Sequence, residues 1–474
     1  MRPRVCVAMI ALLAVGCVQG PNYTRPSTTP SATGWRDTAQ ALRDASFANL
    51  PWWNVLGDSV LQSLVREGLA ENRDLHIAFA RVNQARALLG IQRLEAYPQI
   101  DIPAGVQRSN GSDSLLTGTG SRSLAFLGPT VAWEADMWGR LKRLNESALS
   151  NLLATEHARR AVIMTVVSEV ARAYLELRDL DNQMAIADSQ VTIRRQSLDL
   201  ARARFRGGLT SELDVRQGEN NLAIAEGILT RALRERTQKE NELSVLLGRP
   251  PRDIPRGLTL AQQPFPDIVP AGLPSSLLER RPDIRAAEEQ LHSANARIGA
   301  AIAALFPTIS LTGAGGSASD GLDNVFGAGT AYTRIAANLL QPVIEHGRNR
   351  KQVEAERART EEAVGRYEKA VLTAFQEVED GLVAVRRLRD ETQAAARAAT
   401  AARLAVTLAT ARYEGGVDTY LNLLDAQRSQ LNAELLESQV RRQYRVAMVQ
   451  LYKALGGGWD PETDRLAVPG GAPR

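Results

Sequence analysis

Two cysteines and four histidines are all that 474 residues contain. Neither a disulfide framework nor a Cys/His zinc site can be built from Cys6 and Cys17, since no CxxC or HExxH spacing occurs. His76, His157, His292 and His346 lie scattered and read as surface or packing residues. Aromatics make up only 5% of the chain, whereas Ala, Leu, Arg, Glu and Gln abound, a balance that suits long helices better than one large core. Beyond the first residues no apolar run reaches the length of about 18 that a membrane helix needs, so any membrane-crossing part must be β. The formal charge is +4 with no block of Lys and Arg, which leaves nucleic-acid binding without support. No Ser/His/Asp or Cys/His set stands at motif spacing, and Gly313-Ala314-Gly315-Gly316 lacks the following Lys of a phosphate loop. The expectation is a protein that is no enzyme, with no catalytic residue, no cofactor and no metal.

What is present begins at the N-terminus. Arg2 and Arg4 precede an apolar stretch from Val5 to Val15, and small residues follow. That order reads as a secretory signal over residues 1–16. Leu13-Ala14-Val15-Gly16-Cys17 resembles a lipobox, with Ala14 where Leu is commonest, so Cys17 is the expected lipid attachment site. Several acyl chains anchor firmly, at about 0.8 kcal/mol per buried CH₂. Val18, where Asp would signal inner-membrane retention, directs the anchor to the outer membrane.

The chain is written twice. Ala203-Arg204-Phe205-Arg206-Gly207-Gly208-Leu209 recurs as Ala411-Arg412-Tyr413-Glu414-Gly415-Gly416-Val417, and 411 − 203 = 208. At the same offset Gly139-Arg140 meets Gly347-Arg348, and Leu243, Leu247 and Gly248 meet Leu451, Leu455 and Gly456. At 209, Asp74, Gly90 and Tyr97-Pro98 meet Asp283, Gly299 and Phe306-Pro307. Residues 51–248 and 274–456 therefore form two repeats, joined by a Pro-rich linker over 249–273. An extended arm is expected over 17–50 and an irregular tail over 457–474.

Each repeat predicts a helix, a β-hairpin and two long helices. The first helices run from about Asp58 to Ala96 and from about Pro274 to Leu305. Ile100, Ile102, Ala104 and Val106 then alternate with polar or small residues, as do Ile309 and Leu311, which is a strand signal. The hairpins span 98–136 and 307–342, with return strands from Leu124 to Asp136 and from Tyr332 to Leu340. After Gly139 the period becomes helical, with Ile163, Val166, Val170, Tyr174 and Leu177 on one stripe. Four strands cannot close a barrel, and an open edge is not tolerated in lipid, so oligomerisation is required. Counting alone admits twelve strands from three chains or eight from two.

Several stretches carry a resemblance. They are Gly16 through Tyr23, Trp53 with Asp58, Leu61 and Leu64, Trp133 through Arg140, Glu279-Arg280-Arg281-Pro282-Asp283-Ile284, and Tyr413 through Gly416-Val417-Asp418-Thr419-Tyr420-Leu421-Asn422-Leu423-Leu424-Asp425-Ala426-Gln427-Arg428. The chain resembles the TolC-like outer-membrane factor family, in the NodT-type lipoprotein branch that serves RND multidrug efflux systems. The resemblance implies an α+β membrane channel, a homotrimer whose strands complete a 12-stranded β-barrel and whose long helices form a periplasmic α-barrel. It implies a periplasmic adaptor and an inner-membrane RND pump as partners, and outer-membrane lipid around the barrel. One departure is Glu345-His346-Gly347-Arg348 in place of Asp-Gly-Gly-Arg.

Gly207, Gly208, Gly415 and Gly416 are expected where one long helix turns into the next. Asp418, Asn422 and Asp425 are spaced four and three, and Leu421 adjoins them. The resemblance makes Leu421 and Asp425 gate residues and puts Tyr413 and Asp418 in the network that ties the gate helices; Thr210, Glu212 and Asp214 are the first-repeat counterparts. The function expected is a passive exit duct for drugs and small toxic compounds. The alternatives are a protein-secretion or metal-efflux duct of the same fold, and a non-conducting envelope lipoprotein spacer.

Overall fold

Pro103 has no N–H to give to a β-ladder, and the sheet is built around that gap. In the computed structural model, which describes residues 18–27, 47, 50–111, 120–264, 277–344 and 346–459, six strand segments form one antiparallel sheet. They are β1 (Gln99–Asp101), β2 (Ala104–Gly111), β3 (Gly120–Leu127), β4 (Thr130–Ala135), β5 (Thr308–Ser319) and β6 (Ala331–Leu340). Cys17, most of the arm and the tail beyond residue 459 lie outside the described residues.

The segments amount to four strands. Pairs of β1 with β4 and of β2 with β3 keep one register, Gln99 opposite Ala132 and Ala104 opposite Leu127. The pairs of β4 and β3 with β5 also keep one register, Thr130 opposite Ala314 and Leu127 opposite Ser317. Pro103, Gly128 and Gly316 therefore fall in a single row across three strands. A Cβ on Gly128 would stand 2.1 Å from the Gly315 carbonyl oxygen, so the row admits only glycine there. One face carries Ile100, Val131, Trp133, Ile309, Leu311, Ile335 and Leu339. The other carries Gln99, Thr130, Glu134, Ser310, Thr312 and Asn338. Ile335 is 92% exposed on a single chain, an apolar surface that water alone would not select.

The helices are α1 (Trp52–Val55), α2 (Ser59–Glu71), α3 (Arg73–Leu94), α4 (Arg140–Arg206), α5 (Glu212–Leu246), α6 (Leu277–Arg280), α7 (Pro282–Ala303), α8 (Arg348–Glu414) and α9 (Tyr420–Ala454). The first helix of each repeat, expected as one piece, is two. The breaks fall at Asn72 and Arg281, equivalent positions because 281 − 72 = 209. Asn72 stops α2 and caps α3, its Oδ1 accepting from the N–H of Asp74 at 2.9 Å and of Leu75 at 3.2 Å. Arg281 precedes Pro282, which disfavours helical backbone before it.

The chain divides into two compact units. One comprises residues 1–27, 81–156 and 286–368 and holds the sheet; the other comprises 28–80, 157–285 and 369–474. The second owns the main apolar core, with Trp52, Leu61, Leu64, Val170, Tyr174, Leu243, Met448 and Leu451 buried together. Buried Asp58 organises its edge. Its carboxylate caps α2 through the N–H of Val60 at 2.9 Å and accepts from Leu258 N–H at 2.9 Å, Gln263 Nε2 at 2.8 Å and the Tyr174 hydroxyl at 3.2 Å. That ties the Pro-rich linker to the first repeat.

Candidate functional site

Two helix reversals carry the residues singled out by the repeat. At each, a Schellman pattern closes the helix end. Leu209 N–H reaches the Arg204 carbonyl and Val417 N–H the Arg412 carbonyl, both at 2.9 Å. Gly208 N–H reaches Phe205 and Gly416 N–H reaches Tyr413, both at 3.0 Å. Gly208 and Gly416 share φ +73°, a left-handed backbone that costs other residues energy.

Behind the turns lies a small apolar cluster of Ala201, Tyr413, Tyr420 and Leu423. The two tyrosine rings sit 5.2 Å apart, tilted by 44°. Burial pushes the Tyr420 phenol up to about 12 and raises that of Tyr413 as well. The buried Tyr413 hydroxyl has no hydrogen-bond partner among the described residues. Above the cluster the helices are pinned by polar bonds: Gln427 Nε2 donates to Ser197 Oγ at 2.8 Å, and Arg194 Nη1 donates to the Asn221 carbonyl at 3.0 Å.

The candidate residues do not all meet. Asp418 precedes α9 and accepts from the Asn422 side chain, from Thr419 N–H at 2.8 Å and from Arg412 Nε at 3.1 Å. These bonds, Asn422's foremost, hold its carboxyl below the usual carboxylate range. Asp425 stands apart and pairs with Arg428 at 2.5 Å, but both side chains are more than 60% exposed (64% and 72%), so the pair contributes little within one chain. Leu421 is likewise exposed, together with Val417 and, on the first turn, Leu209 and Leu213.

The turns differ in one informative way. Thr210 occupies the place of Asp418, since 418 − 210 = 208, and its hydroxyl donates to Asp214, the counterpart of Asn422. Each turn thus keeps a bond between equivalent positions with donor and acceptor exchanged. Glu212 turns instead to Arg216, at 2.9 Å. Without a carboxylate at 210, Arg204 has no partner in its own turn. Its Nη1 donates across to the Tyr413 carbonyl at 2.9 Å, and the guanidinium lies 4.9 Å from the Tyr413 ring centre. Arg412, its repeat counterpart, stays with Asp418. Sequence reasoning gave Arg204 and Leu213 no role, although the repeated Ala-Arg-Phe/Tyr motif contained the first.

At the sheet's exit Trp133 and Trp138 pack the junction. Trp133 Nε1 donates to the Ala96 carbonyl at 3.0 Å, and Trp138 Nε1 donates to that of Pro307 at 2.7 Å while its ring stacks on Phe306. His346 has φ +49° where the usual motif has glycine. No metal-binding group of three or more His, Cys, Asp or Glu occurs among the described residues.

Comparison with known proteins supplies the family context. The family model described as "Outer membrane efflux protein" matches residues 64–249 and 273–457. The chain is 36% identical over 472 residues to the outer membrane protein OprJ of Pseudomonas aeruginosa, covering 98% of each. It is 37% identical over 463 residues to the solvent efflux pump outer membrane protein SrpC of Pseudomonas putida, covering 95% of this chain and 97% of the relative. Among solved structures it is similar to the open state of the MtrE outer membrane channel of Neisseria gonorrhoeae, with TM-score 0.83, 32% identity and coverage of 93% and 98%.

Proposed function

Because the chain belongs to the outer membrane efflux protein family and so resides in the outer membrane, we propose that it is the lipid-anchored, homotrimeric exit duct of an RND-type efflux pump, closed at rest by a gate at its glycine turns. The observation that carries the reading is the sheet: one apolar face, one polar face and two outer strands, β1–β2 and β6, whose outer edges are unpaired among the described residues. Such edges are tolerated in lipid only when other copies pair with them. Three copies supply twelve strands around a polar lumen. Acylation of Cys17 holds the duct in the membrane, and an adaptor and an inner-membrane pump deliver cargo to it. The name of SrpC, a solvent efflux protein, supports small apolar compounds as cargo.

In this reading Leu421 and Asp425 face the axis as rings, the leucines occluding the pore and the carboxylates favouring cations. Asp418, Asn422 and Tyr413 hold the turn that presents them, with Gly207, Gly208, Gly415 and Gly416 setting its geometry. The exposure of Leu421 and Asp425 on one chain supports this, as does the weakness of the Asp425–Arg428 pair. The duct conducts passively and needs no cofactor. Single-channel recording in planar bilayers tests it: wild type gives small, cation-favouring currents, and Leu421→Ala with Asp425→Ala enlarges them. A chain that forms no pore in either version, or a double variant with unchanged conductance, contradicts the duct or the gate respectively.

A further inference from the structure

Within one chain the two repeats meet where α4 of the first packs on α7 of the second. Ser147 and Ser293 hydroxyls lie 2.8 Å apart, and Arg143 covers Gly299. Into this junction the chain lays its own residues 18–22. Gln19 N–H donates to the Trp138 carbonyl at 3.2 Å, Arg143 Nε donates to the Gln19 carbonyl at 3.0 Å, and its Nη2 donates to that of Gly20 at 3.2 Å. A Cβ on Gly20 would stand 2.4 Å from Gly299 Cα, so the arm is seated in contact. Arg25 then clamps it to Glu288 at 2.7 Å.

Repeat offsets define a second junction of the same kind. Gly139, Trp138 and Arg143 map at 208 onto Gly347, His346 and Lys351; Gly299 and Phe306 map at 209 onto Gly90 and Tyr97. These faces do not meet within one chain. Among the described residues, and apart from the local backbone, nothing lies within 4 Å of where a Cβ would sit on Gly90 or Gly347, and Tyr97 is exposed. On the trimeric reading above, on which this inference rests, α8 of one copy meets α3 of the next there. The arm occurs once per chain and the junction twice, so the second junction has no arm.

The α8 side of it, on the single chain, bears an open hollow of about 490 Å³, lined among others by Pro342, Val343, Ile344, His346, Gly347 and Arg350. Val343 and Ile344 are exposed apolar residues at the end of the membrane-facing strand. Arg348, Arg350 and Lys351 follow within one helical turn, three cations in the sequence against two carboxylates, Glu345 and Glu354, the second of which pairs with Lys351 at 2.7 Å. The filled junction receives carbonyl oxygens on Arg143 from Gln19 and Gly20, two and three residues beyond the expected acyl site. The open one offers cations beside an apolar strip.

We infer that the cavity at Gly347 binds an anionic phospholipid, which takes the place that the acylated arm takes at the other junction. The phosphate sits on Arg350 and Lys351. The acyl chains run along Val343 and Ile344 into the membrane.

Native mass spectrometry of the full-length protein in mild detergent, titrated with dioleoylphosphatidylglycerol or dioleoylphosphatidylcholine, reads lipid and copy number together. Phosphatidylglycerol should be retained, up to one per copy, in preference to phosphatidylcholine. Arg350→Gln with Lys351→Gln should lower retention roughly ten-fold by removing two charge-assisted hydrogen bonds. Lys142→Gln, which changes the counterpart of Arg350 at the arm-filled junction, should leave retention unchanged. An intact trimer that holds both lipids equally, or holds phosphatidylglycerol equally in the double variant, overturns the inference: the neighbouring copy or detergent then fills the cavity. A protein that is not trimeric overturns the reading beneath it, and the lipid site with it.

Discussion

Replacing Arg204 by Ala should loosen the gate proposed above without unfolding the helices around it. Arg204 is the direct polar link seen from the first turn to the second, through the Tyr413 carbonyl at 2.9 Å and the ring at 4.9 Å. A hydrogen bond from a charged donor contributes about 1.5–3 kcal/mol, and the low end applies because the Tyr413 carbonyl keeps Gly416 N–H as a second donor. The cation–ring contact adds about 0.5–1 kcal/mol at a part-exposed site. The sum is about 2 kcal/mol, or roughly 30-fold in a two-state opening equilibrium. Single-channel recording should show the open fraction of Arg204→Ala rising by that order at neutral pH, with a melting temperature close to wild type. Arg204→Lys keeps the charge and one donor but loses planar stacking, and should fall between. An open fraction unchanged in Arg204→Ala would refute the link between the turns.

Two further outcomes follow from buried or bonded carboxylates. The Asp418 carboxyl titrates below the ordinary carboxylate value near ~4, so its bonds to Asn422, Thr419 and Arg412 are intact above that pH and fail as pH falls through the depressed value. Conductance should therefore be flat from neutral pH down to about 4 and rise below it, whereas Asp418→Asn should lack this acid step; identical profiles would count against the role. Asp58→Ala removes a helix cap and strands the buried donors of Tyr174, Leu258 and Gln263, a loss of about 3–5 kcal/mol that thermal unfolding in detergent should register. Asp58→Asn should recover part of it.

The repeat, the four strands and the paired long helices were legible because each leaves a period or an offset in the sequence. The interruption at Pro103 was legible as a proline, but its alignment with Gly128 and Gly316 was not, since that depends on register across three strands. The helix breaks at Asn72 and Arg281 escaped notice although both carry local signals, an Asx cap and a following proline. Around the turns, the glycines and the Asp418–Asn422 spacing were readable, and Asp425 proved to pair with Arg428, three residues on. Arg204 was not readable, because its direction is decided by Thr210, six residues away, lacking a carboxylate. Cys17 lies outside the described residues, and its acylation rests on the lipobox in the sequence.

The paired helices have diverged in sequence and not in length. α4 and α8 each have 67 residues, and α5 and α9 each have 35. Deleting one residue from α4 alone would shift everything beyond it by about 1.5 Å and swing its contact face by about 100°. Substitutions can accumulate independently in the two halves, but insertions and deletions cannot. An engineer wishing to shorten the duct would therefore have to cut all four helices by whole numbers of turns at matched positions.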